Sequence, residues 1–283
     1  MSIRHALTCI TTVALALLFS ASPALAATET FHEAYTVEDG TPLTVDNRNG
    51  SVTINVWEKE TVDVVAKKKT NRGGKLSNVE IQVNIGDAMS IETVYLVKDP
   101  RVSVEFSITV PASMSIQQVE SSNGAITLEG TTGDVGVRTS NGSIEVRQHA
   151  GNVSAQTSNG SIDMKQLTGV VKANTSNGGI DITGAGGIEE AETSNGTISV
   201  EVAELHADEV TLKTSNGKIK MFLSPELNAD LEMRTSNGKI TIHDVEIVTQ
   251  EVSKTQFKGR IGSGGKTLTA KTSNGSIGVY TLK

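Results

Sequence analysis

The sequence predicts an all-β protein, a single-stranded parallel β-solenoid with coils of about 18 residues. Three observations carry this. The phrase Thr-Ser-Asn-Gly, with Ser121 for Thr in its first copy, recurs eight times, on Asn123, Asn141, Asn159, Asn177, Asn195, Asn216, Asn237 and Asn274. The gaps are 18, 18, 18, 18, 21, 21 and 37 residues, and a fixed period of that size marks a repeat architecture. Isoleucine stands three residues after every one of these asparagines, and an apolar residue stands five after. No stretch sustains an apolar period of 3.6, so helix should be nearly absent.

The chain opens on Arg4, an apolar run from Val13 to Phe19 and Ala24-Leu25-Ala26, the three-part layout of a signal peptide over residues 1–26. Cys9, the single cysteine, leaves with that segment, so the mature chain has no thiol chemistry. Cleavage removes one basic residue, Arg4, and no acidic one, leaving 24 basic against 32 acidic residues. That balance argues against nucleic acid or anionic lipid as a general partner. No later apolar run is long enough for a transmembrane helix, and the expectation is a soluble extracytoplasmic protein of periplasm or cell surface. Five Phe, three Tyr and one Trp leave only a narrow, aliphatic interior.

Residues 27–115 form a β-rich N-terminal part. Leu43 and Val45, then Val52, Ile54 and Val56, later Val102 to Val110, alternate with polar residues as strands do. Lys67 to Gly74 reads as a basic, solvated loop. Asn47-Arg48-Asn49-Gly50 is a faded copy of the repeat, and the 74 residues from Asn49 to Asn123 leave room for about four drifted units. This part is therefore expected to run on into the solenoid of residues 116–283 as one domain.

In that region the inward parity is set by the residue four before each asparagine, by the threonine two before it, and by the positions three and five after it. Asn-Gly supplies the corner, both residues tolerating positive φ. A long antiparallel meander of hairpins is the competing architecture, since Asn-Gly also marks two-residue hairpins. It would expose an apolar face with nothing to cover it, and it does not require one isoleucine in every unit. The two 21-residue gaps place longer corners near Leu205 to Asp208 and Ser224 to Asn228, and the 37-residue gap leaves space for a degenerate coil around Lys254 to Gly265.

The signal peptide, the Asn47 to Ile54 phrase, the Val110-Pro111-Ala112 step, the Thr-Ser-Asn-Gly-x-Ile units and the Gly-rich approach from Gly262 to Leu268 together resemble the bacterial "putative adhesin" family of extracytoplasmic β-repeat domains. The resemblance spans almost the whole mature chain. It implies the solenoid fold and a domain of unknown function, and it brings no catalytic residues.

The residues themselves point to no catalytic site. His32, His149, His206 and His243 sit at unrelated offsets, so stacking does not bring them to a serine and a carboxylate as a triad would need. No His pair has metal-ligand spacing and no cofactor motif is present. Gly184 to Glu189 falls short of the calcium-binding glycine repeat, and Gly262 to Thr267 lacks the spacing of a phosphate loop. The hydroxyl ladder of the repeats is assigned to structure, the threonines facing inward and the Ser-Asn corner bonding neighbouring backbone. One outward ladder has a sharper reading. Glu145, Asp163 and Asp181, four residues after successive asparagines, should align about 4.8 Å apart. Arg147 and Lys165 on the same face neutralise two of them, which makes a solvated surface the first expectation and weak capture of a divalent cation or a basic peptide the functional one.

The function expected is non-enzymatic, an exported envelope solenoid that acts as an adhesin-like binder of an envelope protein or glycan. A β-helical carbohydrate-active enzyme and an accessory or sensor subunit of an envelope system are the alternatives.

Overall fold

The computed structural model describes residues 27–70 and 73–283, and the expected signal peptide lies outside the described residues. The described residues form one 23-stranded, largely parallel sheet wound into a solenoid. A 3₁₀ turn at Leu76–Asn78 is the helical element among them.

The chain begins with β1 (Thr28–Thr36) and then makes its first coil from β2 (Pro42–Asn49) and β3 (Val52–Trp57). Leu43 and Val45 before the corner, and Val52 and Ile54 after it, alternate with their neighbours and are fully buried. The next four strands are β4 (Thr61–Thr70), β5 (Val79–Ile85), β6 (Met89–Tyr95) and β7 (Val102–Pro111). β6 and β7 return parallel to the first coil and stack Met89 on Leu43, Ile91 on Val45, Phe106 on Val52 and Ile108 on Ile54. β4 then runs antiparallel to β7, β1 antiparallel to β4, and β5 antiparallel to β6, so this end of the stack is finished by antiparallel strands.

Two expectations are corrected here. Lys67 to Thr70 is the second half of β4 and no loop, bonded to β1 on one edge and to β7 on the other. Lys68 reaches Glu29 at 3.0 Å and Lys69 reaches Glu105 at 2.6 Å, so carboxylates on both neighbouring strands let a cationic run stay extended. The 74 residues between Asn49 and Asn123 do not hold four drifted coils. Asn49 stacks directly on Asn123, and the one coil made by the intervening chain, β6 with β7, lies on the far side of Asn49.

The repeat region follows with β8 (Ser115–Asn123), β9 (Ile126–Glu129), β10 (Val135–Thr139), β11 (Ile144–His149), β12 (Val153–Gln156) and β13 (Ile162–Asn177). It continues through β14 (Ile180–Asn195), β15 (Ile198–Val202), β16 (Glu209–Asn216) and β17 (Ile219–Leu223). Ile126, Ile144, Ile162, Ile180, Ile198 and Ile219 form one parallel column, each in register with the next and each at most 1% exposed. That column excludes the hairpin meander, in which Ile162 would face an antiparallel neighbour. Leu205 and Leu227 are buried beneath the two longer corners.

The last strands are β18 (Ala229–Thr235), β19 (Ile240–His243), β20 (Val248–Val252), β21 (Gln256–Ile261), β22 (Thr267–Thr272) and β23 (Ile277–Thr281). Their order in space departs from their order in sequence. β22 pairs with β16 on one side and β18 on the other, and β23 lies likewise between β17 and β19. The final coil is thus intercalated. The degenerate coil expected around Lys254 to Gly265 is instead the antiparallel pair β20 and β21, laid along β18. Gly262 to Thr267 turns from β21 into β22 with Gly262, Gly264 and Gly265 at positive φ, and no helix follows.

The core is a single cluster of aliphatic side chains in which Phe106 and Phe257 are the buried aromatics. It is thin because the corner brings backbones close together. Of the nine corner glycines only Gly50 has positive φ, which corrects the expected reason for the glycine. A Cβ on Gly142, Gly160, Gly178 or Gly196 would lie well inside 3.0 Å of the carbonyl oxygen of the glycine one coil earlier. Glycine is needed here for close approach.

Candidate binding surface

Each corner presents a hydrogen-bonded ridge. The Asn123 amide donates to Asn49 Oδ1 at 2.7 Å, and the ladder continues through Asn141, Asn159, Asn177, Asn195, Asn216 and Asn274 to Asn237, every step between 2.7 and 2.9 Å. The corner amides therefore bond to one another, where backbone partners had been expected. Beneath them Thr139, Thr157, Thr175 and Thr193 are buried and donate to the glycine carbonyl of the previous coil at 2.9 Å. Each amide along the ladder donates one hydrogen bond to the next, and the threonine hydroxyls are satisfied by backbone.

The face beyond the corner carries the expected acidic row. Glu145, Asp163 and Asp181 are in register on β11, β13 and β14. Arg147 pairs with Glu145, and Lys165 reaches Asp163 at 3.0 Å. Asp163 Oδ1 is buried and makes no hydrogen bond within the protein, while Asp181 makes no ion pair with a described residue. No group of three His, Cys, Asp or Glu among the described residues has metal-binding geometry.

Two positions further from the asparagine, on the equivalent strands β17, β23 and β19 of the last three coils, is a row the sequence reading missed. Phe222, Tyr280 and His243 stack as a ladder, with ring centroids 5.2 Å apart between Phe222 and Tyr280 and 4.9 Å between His243 and Tyr280. All three stand six residues after their asparagine, which was a signal, but in sequence order Tyr280 does not fall between the other two.

The opposite face carries a groove of about 590 Å³ lined by Asp134, Asn152, Ser154, Lys172, Glu189 and His206. Four of these side chains already have partners. Asp134 Oδ1 accepts from the Asn152 N–H and Asn152 Oδ1 from the Val170 N–H, each at 2.9 Å. Lys172 reaches Glu190 at 2.9 Å, and that hydrogen bond raises the ammonium pKa above its usual value. His149, one corner away, is buried with Nδ1 2.8 Å from Thr131 Oγ1 and Nε2 2.7 Å from the Gly133 carbonyl. Burial lowers its pKa, against the opposing pull of the Gly133 carbonyl and Asp134. A carbonyl can only accept, so Nε2 carries the proton and Nδ1 accepts from the threonine. His149 is a neutral structural linker. The four histidines among the described residues are not brought together into any triad.

Charge is sorted along the ridge. At one end Asp46 and Glu120, three residues before Asn49 and Asn123, are in register with each other and with Glu92. Burial, and then Glu120 and Glu92, push the Asp46 pKa up. At the other end the same row reads Lys213, Lys271 and Arg234.

No curated protein matches this sequence. Among solved structures, a putative adhesin from Bacteroides fragilis superposes with a TM-score of 0.52 at 12% identity, over 89% of this chain and 97% of that one. A putative adhesin from Parabacteroides distasonis reaches 0.44 at 11% identity, over 89% and 97% of the two chains. The first of these supports the fold. The sequence model of Toastrack DUF4097 matches residues 40–280, from the first coil to the last, and the chain belongs to that family.

Proposed function

We propose that this protein is a non-enzymatic, exported scaffold of the bacterial cell envelope, adhesin-like in that its long outer face binds an envelope protein or glycan. The observation that carries the reading is the state of the polar groups. The corner amides and the buried threonine hydroxyls are arranged in rows and bonded along the stack, and among the described residues the members of the Glu145 row are set side by side along the coils, two of them ion-paired, with no pair flanking an enclosed cleft. The description of the Bacteroides fragilis neighbour as a putative adhesin points the same way.

Co-sedimentation of the purified protein with isolated bacterial envelopes is the test. Saturable retention without release of new reducing ends is the expected result. No retention, or turnover of envelope glycan, would overturn the reading. Export is checked by expressing the full chain, which should appear outside the cytoplasm shortened by about 26 residues.

Within the same reading the Glu145, Asp163 and Asp181 row belongs to the solvated face. A calcium titration should not separate wild type from the Glu145→Gln, Asp163→Asn, Asp181→Asn variant. Binding present in wild type and lost in the variant would make the row a cation site.

A further inference from the structure

We propose that the three coils at the C-terminal end of the ridge form a binding site for an anionic polysaccharide, one carrying carboxylate or sulfate groups. The proposal rests on the envelope-binding reading above and names its ligand class. The windows from three before to four after the asparagine read Lys-Thr-Ser-Asn-Gly-Lys-Ile-Lys from Lys213, Lys-Thr-Ser-Asn-Gly-Ser-Ile-Gly from Lys271 and Arg-Thr-Ser-Asn-Gly-Lys-Ile-Thr from Arg234. They hold six cations, Lys213, Lys218, Lys220, Lys271, Arg234 and Lys239, and no carboxylate. The same windows of the other five repeats hold one cation, Arg138, against Glu120, Glu145, Asp163, Asp181 and Glu192. In space the three windows are neighbours, with the Asn274 coil lying between those of Asn216 and Asn237.

All six side chains are exposed. Lys213 lies 3.5 Å from Glu192, and the other five make no ion pair with a described residue. Lys213, Lys271 and Arg234 stack in register at the strand spacing of about 4.8 Å, where like charges repel and a bound anion relieves them. Arg234 and Lys271 also line a hollow of about 240 Å³ with Gln256, Lys258 and Glu232, the last two paired at 2.7 Å.

Three further features favour sugar. The serine hydroxyls of Ser215, Ser273 and Ser236 stand exposed between the cation rows. Beside Lys220 the strand carries Gly278, and the Tyr280 ring folds back over it so closely that a Cβ there would lie 2.8 Å from the ring and its hydroxyl. Both faces of that ring are taken by Phe222 and His243, so what it turns to a ligand beside Lys220 is its edge. The cationic zone is also short. It spans three coils, or about 10 Å between the outer two, and the ridge beyond it turns acidic. An extended pyranose chain advances by close to one strand spacing per sugar, so two or three charged sugars match the patch. Duplex DNA is stiff and carries one charge per about 1.7 Å, and would run on into the carboxylates.

The test is calorimetric titration of the purified protein with oligosaccharides of polygalacturonate and of dextran sulfate, with neutral dextran, polyglutamate and duplex DNA as comparison arms. Binding to at least one anionic glycan, weakening with salt, is expected, with none to neutral dextran. The Lys218→Gln, Lys239→Gln, Lys271→Gln variant should lose about tenfold in affinity, and Lys75→Gln with Lys98→Gln, outside the patch, should lose nothing. Tyr280→Ala should weaken glycan binding several-fold and leave polyglutamate unchanged, a split that pure charge attraction does not produce. Equal losses in the two lysine variants, no glycan binding by wild type, or tighter binding of DNA than of glycan would each overturn the proposal. If wild type still sediments with envelopes while binding no anionic glycan, the ligand class is wrong and the scaffold reading stands. If it does not sediment, the scaffold reading itself fails.

Discussion

At Gly160 the fold depends on the absence of one carbon atom. A side chain there would drive into the Gly142 carbonyl, and the backbones cannot separate without breaking the ladder that joins them. Gly160→Val should therefore lower stability by about 3 kcal/mol in a denaturant titration, with exposed Ser161→Ala changing it by less than about 0.5 kcal/mol. Thr157→Val keeps the shape but strips the donor from the Gly142 carbonyl, a loss of about 1 to 2 kcal/mol. His149 should make stability depend on pH. Its folded pKa is lowered, so the unfolded chain takes up the proton first as pH falls. The neutral imidazole's contribution is complete above the ordinary value of 6.5 and is lost progressively below it, until pH passes the folded value. Melting temperatures of wild type and His149→Gln between pH 7.5 and 5 should accordingly converge at the acid end.

The coil is the unit of the next scale, and its stability comes from being stacked. One coil buries its isoleucine and saturates its asparagine only against its neighbours, so the interaction is with the nearest coil on either side. Asn159→Asp removes the donor to Asn141 and sets a carboxylate against an amide oxygen. It should open the ladder at that step and raise amide exchange in the Asn141 and Asn159 corners more than at Asn237. Asn159→Ala should be milder, about 1 kcal/mol, because water replaces the lost partners at an exposed corner.

At the scale of the whole molecule, both ends of the stack break sequence order in the same way. The chain's first coil and its last coil are each covered by a coil from nearer the middle of the chain, and antiparallel strands complete both ends. Antiparallel cover and out-of-order coils keep a repeating edge from templating further copies. Deleting an internal period, residues 160–177, should leave a folded protein shortened by one coil, because like coils fit like coils. Removing residues 266–283 should be far more damaging, since it leaves β18 and β19 without the strands they stack on. Circular dichroism melts of the two deletions test this directly, and equal losses would mean the last coil is not intercalated in solution.

The repeat coil was legible in the sequence because its determinants are local. Offsets of two, three, four and five residues from each asparagine state which side chains face inward, and identical offsets at a fixed period imply that like stacks on like, as the isoleucine column does. The acidic row followed from the same arithmetic. The order of stacking at the two ends did not. Any coil with these offsets fits against any other, so local pattern cannot say whether the Asn237 coil or the Asn274 coil lies next to Asn216, and the 37 residues between them are long enough for the chain to return on either side. Tertiary structure made that choice, where Asn49 meets Asn123 and where β21 occupies the free edge of β18. With it came Tyr280 between Phe222 and His243, and Lys271 between Lys213 and Arg234. Residue offsets determined what each coil presents; long-range strand pairing decided which coils present it together.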